Sequence, residues 1–323
     1  MNKFKKIGLS ALAGSLVAVS ASAYEITMSG GASVAATTAD DKKGKTGYYM
    51  NDSITFTVAG ETDGGLSITT KLELDGGANA SSSFDNRSIA IAHDTLGTIT
   101  FSGHGGDSVL SAMDDKTPSA YEEPWGLTTS PSVINGVAGD NLWRYDSPSF
   151  SGLVVSASYQ SKEQGTLATG SQSAYSDMGF VYTPEMVDGL TIGYAAGEVD
   201  ETATLGGTEV NGIDESTMYV TYTTGGFTLG YQSSEADGPT STQDDDSTAF
   251  GISYAVTDDL SISYGEHEMD LGSSSSNQES SGISVSYTTG GMTISASSNE
   301  TENVGGTSTS DVENHEVAIS FAF

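Results

Sequence analysis

Cysteine is absent from this chain of 323 residues, basic side chains are scarce, and no apolar run is long enough to cross a bilayer as a helix. Without cysteine there are no disulfides and no thiolate metal ligands, so an exported protein of this size must be held by a large closed sheet or a sizeable core. With 11 Lys and Arg against 43 Asp and Glu, the formal charge is −32. A general nucleic-acid partner is thereby excluded, because phosphate binding needs clustered cations. The four histidines, His93, His104, His267 and His315, are dispersed and make no paired-ligand spacing. No GxSxG elbow or P-loop occurs either, so the chain is expected to be no enzyme and to carry no cofactor. The acidic runs Asp40–Asp41 and Asp244–Asp246 could take Ca2+ weakly through oxygen, although they lack the spacing of an EF-hand loop.

What the chain does contain begins with an export signal. Lys3, Lys5 and Lys6 precede an apolar, small-residue stretch from Ile7 to Val19, then Ala21-Ser22-Ala23 before Tyr24. That order reads as a secretory signal peptide over residues 1–23 and a mature chain over 24–323. Its removal takes three lysines and no acids, moving the formal charge from −32 to −35. The 15 Tyr and 10 Phe recur at regular spacing, which a disordered acidic linker would not need.

Alternation dominates the rest. Val317, Ile319, Phe321 and Phe323 alternate with small or polar residues, so an extended strand puts every large apolar group on one face. Tyr222-Thr-Thr-Gly-Gly-Phe227 and Tyr287-Thr-Thr-Gly-Gly-Met292 repeat one hairpin signature, and Tyr254 to Tyr264 has the same form around Asp258 and Asp259. Short turns alternate with long polar stretches, including 162–173, 200–213, 235–246, 270–279 and 301–311. Sixteen strands are expected near 25–37, 47–60, 64–76, 84–94, 96–104, 142–148, 152–162 and 174–184. They continue near 188–199, 214–224, 226–236, 246–257, 259–270, 279–289, 290–301 and 311–323.

Parity assigns Leu66, Ile68, Leu72 and Leu74 to an apolar face, with Val155, Tyr159, Phe250, Ile252, Ile283 and Val285 on other strands. Lys71, Glu73, Ser156, Ser158, Gly251 and Ser284 fall on the polar face. Two architectures satisfy this pattern. In a soluble exported β-sandwich, with an adhesion or carbohydrate-binding role, the apolar face packs on a second sheet. In a transmembrane β-barrel it meets lipid, and the polar face encloses a channel. Aromatics favour the barrel: Tyr182, Tyr222, Tyr254 and Tyr287 precede short turns while Tyr159, Tyr194, Tyr231 and Tyr264 precede long loops, as two interfacial girdles would require.

The signal peptide, the run Arg144-Tyr-Asp-Ser-Pro-Ser-Phe-Ser-Gly-Leu153 and the closing Phe323 resemble the general porins of Gram-negative outer membranes, particularly the alphaproteobacterial type. The resemblance implies an all-β, 16-stranded antiparallel transmembrane barrel, assembled as a homotrimer, whose third external loop folds inward. Its expected setting is the outer-membrane bilayer with lipopolysaccharide. Its expected task is passive diffusion of small hydrophilic solutes and ions.

The segment 104–141 is the longest without alternation and suits that loop. It carries Asp107, Asp114, Asp115, Glu122, Glu123 and Asp140 against Lys116 alone. The candidate constriction is therefore Asp107, Asp114, Asp115, Glu122 and Glu123 on the loop, with Lys71, Glu73, Arg144 and Arg87 on the wall. Arg87 shares parity with Ile89 and Ile91, which would turn it outward unless a bulge intervenes. The Pro-Glu-Phe-Gly-Gly loop sequence of enterobacterial porins is missing, the nearest stretch being Glu123-Pro124-Trp125-Gly126, and the arginine cluster is thin. The acidic excess points to cation preference.

Overall fold

In the computed structural model the described residues are 24–39, 46–75, 84–128, 133–134, 138–161, 174–199, 202–205, 208–210 and 212–323. Sixteen strands run in chain order, each antiparallel to the next, and the last pairs with the first. They are β1 (Glu25–Ala39), β2 (Thr46–Glu61), β3 (Ser67–Asp75), β4 (Asn86–His93), β5 (Gly97–His104), β6 (Leu142–Asp146), β7 (Leu153–Gln160) and β8 (Tyr175–Tyr182). They continue as β9 (Leu190–Val199), β10 (Ile213–Thr224), β11 (Phe227–Asp237), β12 (Asp245–Ala255), β13 (Leu260–Leu271), β14 (Gln278–Thr289), β15 (Met292–Glu302) and β16 (Val312–Ala322). Each overlaps one of the sixteen expected segments. The signal segment 1–23, Asp40–Asp41 and the long loop 162–173 lie outside the described residues.

The hairpins follow from glycine chemistry. Gly225 and Gly226 have φ of 55° and 86°, and Gly290 and Gly291 have φ of 58° and 85°. Two successive positive φ values give a turn whose twist matches the flanking strands, and glycine adopts them without a Cβ clash. The repeated Thr-Thr-Gly-Gly signature is thus a pair of tight turns on one rim. The opposite rim carries the longer connections, one of which holds a short hairpin of Thr202–Leu205 with Thr208–Val210.

Closure brings the last strand against the first. β16 pairs with β1 from Ala322↔Gly31 to Asn314↔Ala39. Phe323 extends the seam by two backbone hydrogen bonds with Gly30, both 3.0 Å. Among the described residues no strand of the barrel is left with an unpaired edge, which is what a sheet in lipid requires.

The β-sandwich reading is overturned by which face is open. On β7 and β14, Val155 and Ile283 are 48% and 58% exposed, whereas their polar neighbours Ser156 and Ser284 are each 6% exposed. The apolar face has no second sheet against it; it is the outside of a closed wall, and the polar face is the inside. Tyr159, Tyr194, Tyr231 and Tyr264 stand on the outer face toward one rim, and Tyr182, Tyr222 and Tyr287 toward the other. Phe227 stacks on Tyr254 at 4.3 Å between ring centres, reinforcing the second girdle.

Candidate functional site

The segment between β5 and β6 leaves the rim and returns into the barrel. Gly106–Asp107 pairs briefly with Ala138–Gly139, closing its root, and a single 3-10 turn follows at Ser111–Met113. Arg144 of β6 clamps this root from the wall. Its guanidinium donates to the Ser108 carbonyl at 3.1 Å and to the Asp107 carbonyl at 3.4 Å while holding Asp146 in a salt bridge at 3.0 Å.

From there the loop follows the inner wall, tied to it mostly through backbone groups that would otherwise be unpaired. Val109 N–H donates to Ser158 of β7, and Leu110 N–H to Asp177 of β8. Gln232 of β11 donates to the Met113 carbonyl at 2.6 Å and accepts from Lys116 N–H at 2.7 Å. Ser263 of β13 takes Ala120 N–H, Ser284 of β14 donates to the Glu122 carbonyl, and Asn299 of β15 donates to the Glu123 carbonyl. Asn314 of β16 donates to the Leu127 carbonyl. Val109, Leu110, Met113, Val133 and Ile134 bury themselves against Tyr175, Ala195 and Tyr219, an apolar patch inside an otherwise polar lumen.

A second device seats the loop. Gly230, Gly251, Gly265 and Gly282 are directly paired across β11 to β14 and all face inward. A Cβ at Gly230 would stand 2.4 Å from Pro118, one at Gly251 2.9 Å from the Pro118 carbonyl oxygen, and one at Gly265 2.5 Å from Pro124. The four glycines cut a track in the wall into which the two loop prolines fit.

On either side of Pro118 the loop presents its acids. The Asp115 carboxyl hydrogen-bonds the Glu123 side chain, and burial together with the Glu123 charge pushes it up to about 7. Glu122 is also pushed up to about 7, by burial first and then by the charges of Glu123 and Glu316. Asp114 is raised by burial, with Lys116 opposing the shift. The Tyr121 hydroxyl donates to Glu316 of β16 at 2.5 Å, and burial with that bond raises it. Asp140 pairs with His104 at the loop's end.

The wall residues separate. Lys71 and Glu73 lie on the inward face of β3, Lys71 paired across to Thr57 of β2 and Ser88 of β4. Lys71 makes no ion pair among the described residues. Arg144 faces inward but is committed to Asp146 and the loop root. Arg87 does not join the constriction. A bulge does intervene, since Arg87 pairs with His104 and Ser88 with Ser102, but the extra residue is Gly103 on β5. Arg87 therefore keeps the parity of Ile89 and Ile91 and bonds the Gly103 carbonyl at 3.3 Å. Glu316, Tyr49, Tyr121 and the glycine track were not singled out as candidates. Inward glycines at one level on four successive strands were the readable signal for the track.

Among the described residues no three acidic or histidine side chains converge as a metal site. Asp244 and Asp245 instead accept the backbone N–H groups of Gly238 and Gly272.

Comparison with known proteins now bears on this geometry. A profile described as Gram-negative porin matches residues 8–306. Among solved structures, the anion-selective porin from Comamonas acidovorans superposes with a TM-score of 0.71 at 17% identity, covering 93% of this chain and all of that one. A mutant porin from Rh. blastica gives 0.65 at 15% identity, again over 93% of this chain and 100% of its own. OmpT of Vibrio cholerae in its trimer form gives 0.69 at 14%, with the same coverage. At these identities the structural likeness is one of fold. No curated protein sequence matches.

Proposed function

The chain belongs to the Gram-negative porin family and is an outer-membrane β-barrel, and from that premise we propose a homotrimeric, water-filled channel without enzymatic activity. Small hydrophilic solutes cross it by passive diffusion, and cations are preferred. The observation that carries the reading is the acidic loop tied along the inner wall of the barrel. That loop carries Asp107, Asp114, Asp115, Glu122 and Glu123, whereas the inward Lys71 of the wall makes no ion pair among the described residues. Such an asymmetric lining attracts counter-ions of one sign into a low-dielectric constriction. In planar bilayers under a salt gradient, the reversal potential should have the cation-selective sign; an anion-selective sign would end the electrostatic part of the proposal.

The outer face supports the expected surroundings. Carboxylates pair directly in three rows near the long-loop rim: Glu198, Asp214 and Asp237; Glu235, Asp246 and Asp270; Glu268, Glu279 and Glu302. Like charges opposite one another repel, and divalent cations bridging them to lipopolysaccharide phosphates would relieve that repulsion. The first seven strands have no such rows among the described residues. Their outward Val34, Met50, Ile89 and Trp143 are exposed and suit the contact between protomers. Chemical cross-linking of the purified protein should stop at three chains. A monomer as the largest product would remove the assembly from the proposal.

A further inference from the structure

Glu316 is a buried acid with no basic partner among the described residues. It is 2% exposed, lies on β16 and faces the lumen between Thr37 of β1 and Ser297 of β15, its directly paired neighbours. Burying a charge without a counter-charge is costly unless hydrogen bonds replace the lost water. Two tyrosines supply them. Tyr49 of β2 donates to one carboxylate oxygen at 2.6 Å, and Tyr121 of the loop donates to the other at 2.5 Å. Hydrogen bonds to an ionised acceptor are short and strong, so the triad is held in one geometry.

Its place in the barrel gives the triad a consequence. Glu316 is on the last strand and Tyr49 on the second, so their bond spans the β16–β1 seam where the barrel closes. Tyr121 sits between Pro118 and Pro124, the two residues seated in the glycine track, and immediately precedes Glu122. The loop is therefore fixed at both ends of this short arc by packing and at its middle by Glu316. The other ties of this arc run through its backbone, at Ala120, Glu122 and Glu123, so the Tyr121 bond is the side-chain tie beside Glu122.

We propose that Glu316 is the positioning residue of the constriction: by binding the Tyr49 and Tyr121 hydroxyls together, it straps the loop to the closing seam and holds Glu122 in the ion path. The inference rests on the channel reading and goes beyond it, since it assigns the setting of the aperture to a side chain too buried to meet the solute.

Single-channel recording of the full-length protein separates a strap from a simple lumen charge. Tyr121→Phe leaves every formal charge in place and removes only the tie. It should raise open-channel current noise, raise conductance by about half, and move the reversal potential toward zero. Tyr49→Phe should do the same to a smaller degree. Glu316→Gln keeps the shape and an amide acceptor, and Tyr121→Phe added to it should produce little further change, because both act on one unit. Wild-type noise, conductance and reversal potential in both tyrosine variants, with Glu316→Gln shifting the reversal potential alone, would overturn the proposal and leave Glu316 a distant charge. If Glu316→Gln does not assemble, the two tyrosine variants decide by themselves. Failure of the channel reading is a different result: the unaltered protein would then give no current steps.

Discussion

The wall from β7 to β16 and the wall from β1 to β6 are written in the same alternating code, yet they are finished differently inside. The first is covered by the loop, with serine, glutamine and asparagine side chains satisfying its backbone and glycines giving it room. The second stays open, with Thr57, Lys71 and Ser88 in a row facing the passage and, among the described residues, hydrogen bonds to the loop at its root. The difference shows that a barrel interior is divided by what is absent as much as by what is present. Where side chains are missing the backbone of another segment can lie down, and where ordinary polar residues remain the wall stays uncovered.

The comparison would be broken most severely by filling the seat. Gly265→Leu places a side chain where Pro124 packs, and overpacking of this kind costs typically about 1–3 kcal/mol. It should displace the loop, widen the channel and lower the temperature at which the proposed trimer dissociates in detergent. The same enlargement on the open wall, Ser88→Leu, should leave the dissociation temperature almost unchanged. Equal losses in both variants would mean that the track is no seat.

A smaller effect is expected from the loop charges. Replacing Asp114, Asp115, Glu122 and Glu123 by their amides should reduce cation preference strongly while keeping the fold, read as a shift of the reversal potential toward zero. An unchanged potential would show that the loop is not the filter.

Acidity offers a milder version of that experiment. Asp115 and Glu122 are both held up near about 7, so the loop gains charge as pH rises through that value. Cation preference should therefore climb between pH 6 and pH 8. Stability should move the other way. A carboxyl whose folded value lies above its unfolded one binds more protons in the folded state, so its contribution is present at low pH and is lost as pH rises toward the folded value. The test is reversal potential and thermal dissociation measured on one preparation across that range. Parallel rather than opposite trends would contradict the assignment. Lys71→Gln on the open wall should have the least effect, a slight gain in cation preference with no change in stability.

Much of this was legible in the residues. Alternation marked all sixteen strands, because a side chain's face depends only on its own strand's parity. The Thr-Thr-Gly-Gly turns were legible for an equally local reason, since positive φ favours glycine. Length, lack of alternation and acidic content marked the segment at 104–141. The site was read less completely. Arg87 kept its outward parity because the bulge inserted Gly103 on the neighbouring strand. Glu316 looked like an ordinary polar member of a terminal strand, and nothing near it in sequence announces Tyr49 or Tyr121, which lie 267 and 195 positions away.

By itself, the order of residues determined how many strands form, where they turn and which side chains share a face, all consequences of backbone geometry within a few residues. Tertiary structure alone decided that four glycines from four strands line up, and that the last strand closes on the first to give Glu316 its two tyrosines. Those outcomes depend on cross-strand register and closure, and the contacts that create them join groups too far apart along the chain for any local pattern to record.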